Sequence, residues 1–450
     1  MKIIVVGAGE VGFYLSDLLS RQGHEVTVIE SSEHRAAMLD EEVNAKVYLG
    51  SGSTAAMIKR AGVEDCDFFL AMTSDDKTNI IACSLAKALG LKVQTIARIH
   101  DQTFSDNSIV NYQHHFGIDH VIIPEALCAV ELAKAMRNPG RLAVENIARG
   151  QIEVQQVQVS ERSRYADKTL REIRIEDGVR IGFVRKDKEV MVPTADTTLK
   201  PGMWVALFGH PNAVTEERAR VDPAHRLQKV RVVLFGATET AIALVRLLNN
   251  PRFRVRIIER DSKLCDQLAQ QFDHVTIING DATTLRILEE EQVDGADYFV
   301  ACTKDDEDNI MTSLQVSRLG TKHVQLVINR ADYQEVINTL KTTLGVELIV
   351  SPRLATAHEV MRLISTDDLL EIATLGNSDT RMVEAKIPAD SKQGNKTLRE
   401  IAWPPGTVVV ALMHKYQAKV PGPDDKILPG DRIVTIVRQE NMRELSELLK

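Results

Sequence analysis

The residues whose types and spacing promise the most chemistry are Gly7-Ala8-Gly9-Glu10-Val11-Gly12, a GxGxxG run directly behind the apolar stretch Lys2–Val6. Glu30 follows at the end of the next apolar stretch, about 20 residues on. Gly7 suits a tight turn, Gly9 lets a pyrophosphate approach the backbone, and Gly12 lets the following helix pack close to a sheet. A helix starting here offers free N–H groups and the positive end of its dipole to phosphates. Glu30 can accept both hydroxyls of an adenosine ribose and would repel a 2′-phosphate. NAD(H) or another unphosphorylated adenosine ligand is therefore favoured over NADP. GxGxxG alone is weak; strand, helix and acid at these spacings make the expectation specific.

Thr73-Ser74 and Cys302-Thr303 fall at the ends of strand-like runs, where open α/β sheets bind ligands. The Asp75-Asp76 and Asp305-Asp306 pairs behind them could form a catalytic pair or a divalent-metal site. Each opens a helical stretch, however, where Asp caps free N–H groups, and capping is the expectation. His100, His114, His115 and His120 match no metal-site spacing and read as surface or structural histidines. Cys66, Cys83, Cys128, Cys265 and Cys302 are scattered, which suits a reducing compartment and offers neither a zinc site nor a disulfide framework. No catalytic set and no metal site are expected.

The elements that must position these residues alternate. Strands are expected at Ile3–Val6, Glu25–Ile29, Lys46–Leu49, Phe68–Met72, Gln94–Ile99 and His120–Ile123, and helices at Glu10–Arg21, Glu33–Glu41, Thr54–Ala61 and Asp75–Leu89. This is the pattern of an α/β Rossmann-like, doubly wound parallel sheet. Pro124–Arg137 and its counterpart Ser351–Ser365 read as helices with apolar stripes and little sheet of their own to cover, so docking on another domain and oligomerisation are expected. After about Arg141 the pattern becomes β-rich, with strands at Gln151–Val159, Gly182–Arg185, Val190–Val192 and Met203–Phe208 and a short helix at Leu170–Ile173. Thr215–Val230 reads as a charged linker before a new strand at Arg231–Leu234.

The chain is a duplication. Ala71–Ile80 reappears as Ala301–Ile310 with six identities in ten, and Lys168-Thr-Leu-Arg-Glu-Ile173 reappears intact as Lys396–Ile401. Pro193 and Pro201-Gly202 match Pro421 and Pro429-Gly430; Gly7 matches Gly236, and Glu30 matches Glu259. Four anchors in one order at nearly constant offset predict two Rossmann-like sheets, each followed by a small β-rich α+β domain, over residues 1–140, 141–228, 229–367 and 368–450. The second loop, Gly236-Ala237-Thr238-Glu239-Thr240-Ala241, departs from the fingerprint where Thr238 replaces the middle glycine. A side chain there obstructs a pyrophosphate, so NAD(H) should prefer the first copy. The second is then weak, vestigial, or takes a ligand with differently placed phosphates, such as ATP or ADP. Gly280-Asp281 stands where the first copy has Gly50-Ser51.

The 450-residue chain carries 55 Lys and Arg against 63 Asp and Glu, a formal charge of −8, so attraction to nucleic acid or anionic lipid is not its main activity. No apolar run reaches the roughly 18–20 residues needed to span a bilayer. Met1–Gly7 reads as a first strand running into a turn; a signal peptide would need a longer apolar core. A cytoplasmic location is expected.

The doubled order of Rossmann and small β-rich domains resembles the family of cytosolic TrkA subunits of bacterial Trk potassium uptake systems, whose halves are similar to RCK (KTN) domains followed by TrkA-C domains. The motifs carrying it are Gly7–Gly12, Glu30, Thr73–Asn79, Ala97-Arg98 and Lys168–Ile173 with Pro201-Gly202, and in the second copy Glu259, Thr303–Asn309, Arg330 and Lys396–Ile401 with Pro429-Gly430-Asp431. The resemblance implies nucleotide sensing, a homo-oligomeric gating ring at the cytoplasmic face of the inner membrane, and control of a membrane-embedded Trk-type potassium translocating subunit. It implies a first site of Gly7, Ala8, Gly9, Glu10, Val11, Glu30, Thr73, Ser74 and Arg98. By correspondence the second is Gly236, Ala237, Thr238, Glu239, Thr240, Glu259, Cys302, Thr303 and Arg330. An NAD-dependent dehydrogenase is the enzyme alternative, but it needs a proton-transfer residue facing the nicotinamide, and the first copy offers no obvious His–carboxylate, Tyr–Lys or Lys-based set. A redox-sensing DNA-bound repressor lacks a helix-turn-helix segment and a basic patch.

Overall fold

The computed structural model describes residues 1–90, 92–101, 104, 110–137, 151–186, 189–223, 229–330, 333, 345–364, 369–375, 379–414 and 417–450. The first copy runs β1 (Lys2–Val6), α1 (Glu10–Arg21), β2 (Glu25–Glu30), α2 (Glu33–Glu42), β3 (Lys46–Leu49), α3 (Ala55–Arg60), β4 (Phe68–Ala71), α4 (Asp76–Leu89), β5 (Gln94–Arg98), α5 (Tyr112–His115), β6 (His120–Ile122) and α6 (Pro124–Arg137). All six strands pair in parallel in the order β3-β2-β1-β4-β5-β6. The β1 sequence KIIVV is apolar on both faces because both faces are covered, the signature of a parallel sheet. The strand order reverses between β1 and β4, which opens a crevice at their C-terminal ends.

The first small domain follows as β7 (Glu153–Gln158), β8 (Lys168–Thr169), β9 (Val179–Lys186), β10 (Glu189–Met191), β11 (Thr198–Leu199), β12 (Trp204–Gly209) and α7 (Pro211–Val221). Two expectations need correction here. Leu170–Ile173 is a turn, because Leu170 and Arg171 donate their N–H groups to the carbonyls of Thr197 and Ala195. The first part of the expected linker, from Thr215 to Val221, is the end of α7, a helix opened by Pro211 and burying Val214 and Val221 against the small sheet. Charged residues hid it: Glu217 and Arg218 are buried too, and Arg220 ties Glu217 to Glu176. The composition change after Arg141 lies outside the described residues.

The second copy runs β13 (Val230–Phe235), α8 (Glu239–Leu247), β14 (Phe253–Glu259), α9 (Ser262–Gln271), β15 (Thr276–Asn279), α10 (Leu285–Glu290), β16 (Tyr298–Ala301), α11 (Asp306–Leu319), β17 (His323–Val327), β18 (Leu348–Val350) and α12 (Pro352–Ile364). Its sheet repeats the order, β15-β14-β13-β16-β17-β18. The second small domain comprises β19 (Leu369–Thr374), β20 (Thr380–Lys386), β21 (Val408–His414), β22 (Gln417–Lys419), β23 (Arg432–Arg438) and α13 (Met442–Leu449).

Two compact units result, one from residues 1–133 and 229–365, the other from 134–228 and 366–450. In the first unit, α12 crosses to the first copy: Ala357, Val360, Leu363 and Ile364 are buried in one cluster with Leu15, Leu19, Val28 and Ile96. The apolar stripe of α12 is thus covered within the chain, and it does not argue for contacts between chains as the sequence suggested. In the second unit the small domains share a core, Phe183 and Phe208 with Met382, Val434 and Ile436. Arg180 adds hydrogen bonds to the carbonyls of Val409 and Pro421 at 3.0 and 2.6 Å.

Candidate functional site

A cavity of about 540 Å³ opens at the reversal point of the first sheet. Gly7 turns the chain out of β1 with φ +92°, and a Cβ there would meet Thr73 at 2.9 Å. Gly9 is the N-cap of α1, and a Cβ added to it would find nothing within 4 Å, because it faces the cavity. Gly12 lets α1 start against the turn: a Cβ there would lie 1.8 Å from the Gly7 carbonyl oxygen.

Gly7, Gly9, Glu10, Val11, Glu30, Thr73, Ser74 and Arg98 line this cavity. Ala8 does not; its N–H points to Glu30. Glu30 is buried, accepting the N–H groups of Ala8 and Ser32 and pairing with Arg35 at 3.0 Å. Burial alone would raise its carboxyl, but these donors hold it below the ordinary carboxylate range. One carboxylate oxygen is therefore already occupied with Ser32 and Arg35, and Glu30 organises the turn as well as facing the cavity. Asp75 caps α4 through the Thr78 N–H at 2.9 Å, and Asp305 caps α11 through the Asp308 N–H at 2.8 Å. Asp76 and Asp306 instead accept N–H groups from the chain leaving β5 and β17, pinning those strand ends.

Sequence reasoning missed Arg35, Asn329 and Arg353, which also line the cavity. Arg35 lies five residues beyond Glu30 on α2, a position no motif marks. Asn329 and Arg353 come from the second copy, through the crossing that brings α12 against α1. The Nε atoms of Arg98 and Arg353 are both buried without a hydrogen-bond partner. Buried donors of this kind are places for an anionic acceptor.

The second loop keeps the scaffold and alters the lining. Gly236 has φ +91°, Glu259 accepts the Ala237 N–H at 2.8 Å, and the Thr303–Asn309 hydrogen bond repeats Thr73–Asn79. Thr238 occupies the place of Gly9 and donates its hydroxyl to the Cys302 carbonyl at 2.7 Å, bridging the groove. Glu239 and Thr240 continue into α8, with Thr240 buried. Two correspondences drawn from sequence are corrected. Asn79 donates to the Arg98 carbonyl and Asn309 to that of Val327, so Val327 takes the place of Arg98. Arg330 matches Asp101, beyond the strand, and its guanidinium lies over the Tyr333 ring at 4.3 Å. Cys302 matches Met72; its thiol is buried under β13, which pushes it up to about 12, and it faces backbone carbonyls, not a groove. Burial, then Asp101 and Glu125 of the first copy, raise the Glu239 carboxyl; burial, then Asp305 and Asp281, raise that of Asp308.

Among the described residues no helix is long and apolar enough to cross a membrane. The TrkA-N domain family matches residues 3–124 and 232–352, and the TrkA-C domain family matches 154–220 and 382–450. The chain is 28% identical over its whole length to the full length of a Methanosarcina mazei protein named Trk system potassium uptake protein TrkA homolog 2. It is 26% identical, over all of itself and 99% of the relative, to Trk system potassium uptake protein TrkA of Halomonas elongata. A solved structure of the GsuK channel bound to NAD shares the fold across the whole chain and 78% of that structure, with TM-score 0.57 at 20% identity.

Proposed function

The chain belongs to the family of tandem TrkA-N and TrkA-C domain proteins, and from that premise we propose that it is a nucleotide-sensing regulatory subunit that gates a membrane-embedded potassium uptake transporter. The observation that carries the nucleotide reading is the open Gly9 position at the start of α1, in a cavity that Arg98 also lines. Phosphates of NAD(H) or an adenine nucleotide would sit on the α1 N-terminus and against Arg98, and Glu30 would take the ribose. Nicotinamide, when present, would supply hydride chemistry, but among the described residues no His, Lys, Tyr or Cys lines the cavity to move a proton. Glu30 and Asp75 are both held below the ordinary carboxylate range, which makes them poor proton donors near neutrality. This favours a sensor over a dehydrogenase.

A ligand moves a gate only by its difference in affinity between two states. A cavity walled by both copies supplies that difference, because any shift between the copies changes its lining. Ring assembly at the cytoplasmic membrane face is part of the same reading. Its support is the match of both halves of the chain to the TrkA-N and TrkA-C domain families. Calorimetry of the full chain with NADH, NADPH, ADP and ATP tests the sensing: NADH and ADP should bind and NADPH more weakly. Potassium flux through a reconstituted Trk translocating subunit, with and without this chain, tests the gating. No nucleotide binding, or no effect on flux, refutes the respective half.

A further inference from the structure

Arg353 is the second residue of α12, a helix of the second copy, yet it lines the cavity of the first. Its guanidinium carbon lies 4.7 Å from the centre of the Tyr14 ring on α1. Stacking on a ring face holds a planar cation in place while leaving its in-plane N–H groups for another acceptor. The Arg353 Nε is buried and has none, and neither has the Arg98 Nε in the same cavity. Leaving such donors unmatched is costly, and the two arginines that carry them, one from each copy, line one cavity.

The equivalent residue of α6 is Glu125, whose carboxylate is 2.8 Å from His100 Nδ1 and raises the Glu239 carboxyl at the second loop. The copies therefore exchange the first turns of these helices, and the exchanged charge is positive at the first loop and negative at the second.

We propose that Arg353 is a ligand-binding residue of the first site, lent by the second copy, which takes a phosphate of the adenine nucleotide bound there; this rests on the nucleotide reading above. Arg353 then makes the ligand a tie between copies, so affinity reports how the copies are set against each other. The decisive experiment titrates full-length protein with ADP and with adenosine, which lacks phosphate. Arg353→Gln should weaken ADP roughly tenfold or more, as loss of a charge-assisted hydrogen bond does, and leave adenosine unchanged. Arg353→Lys should recover part of the loss, since it restores charge without the planar fork. Equal ADP affinity in Arg353→Gln and wild type overturns the assignment while the nucleotide reading stands. Parallel loss of ADP and adenosine also overturns it and makes Arg353 a packing residue on Tyr14. ADP binding absent from the wild type, or surviving Gly9→Val, instead refutes the nucleotide reading itself.

Discussion

The loops Gly7–Gly12 and Gly236–Ala241 have nearly the same backbone and different surroundings. Both turn on a glycine at φ close to +90°, and both are held by an acid at the end of the next strand. Around the first loop stand Arg35, Arg98 and Arg353. In the second copy Leu264 takes the place of Arg35 and Val327 that of Arg98, Asp281 stands for Ser51, and Glu125 approaches in place of Arg353. The duplication kept the parts that shape the turn and changed the parts that would meet a ligand. Fingerprint residues therefore report the scaffold, whereas the lining decides what is bound.

The largest effect expected of any single change is Gly9→Val. Its side chain would enter open cavity, so the melting temperature should hold while NADH and ADP affinity at the first loop falls at least roughly a hundredfold, as overlap with a bound phosphate implies. Unchanged affinity in calorimetry would remove the first loop from the comparison altogether. Arg98→Val, which writes the second copy's residue into the first, should cost roughly tenfold to a hundredfold in ADP affinity, the range of a charge-assisted hydrogen bond. A neutral result would mean that the ligand is held without Arg98.

Thr238→Gly sharpens the contrast from the other side. It clears the groove but leaves Glu239, Glu125 and Asp101 beside it, so ADP titration should still show one site. Combined with Glu125→Gln, a second, weaker site should appear. If Thr238→Gly suffices, sterics and not charge closed the second loop.

The smallest effect is in stability against pH. Glu239 has its folded-state carboxyl raised by partial desolvation and by Asp101 and Glu125, against the attraction of Arg246 and Lys304. The native state thus holds the proton more tightly than the unfolded chain. Stability from this group is fully present below the ordinary carboxylate value and is lost as pH rises through the raised one. Thermal melts of Glu239→Gln should lack that loss, narrowing the wild-type deficit on the alkaline side. Parallel melting curves at every pH would show that the acids at the second loop do not interact.

Much of this architecture is legible in the sequence. Helices Glu10–Arg21 and Pro124–Arg137 follow from periodicity with glycine or proline at their starts, and Asp75 and Asp305 act as the caps their positions promise. Helix α7 was hidden because its buried Glu217 and Arg218 read as solvent-facing charge. Arg330 drew attention by residue type, although backbone register gives the place of Arg98 to Val327. Arg353 carries no local signal: its role comes from where α12 lies in space, and sequence spacing along one copy cannot encode an approach by the other.

The crossing of α12 also orders events during synthesis. The face of α1 turned to α12, in one cluster with Leu15, Leu19 and Val28, is covered by Val360 and Leu363, which leave the ribosome long after β6. At roughly 5–20 residues per second, that face stays uncovered for on the order of tens of seconds. The nascent first half is accordingly a sticky intermediate that a chaperone would shield, and a fragment ending before the second copy would inherit the same bare face permanently.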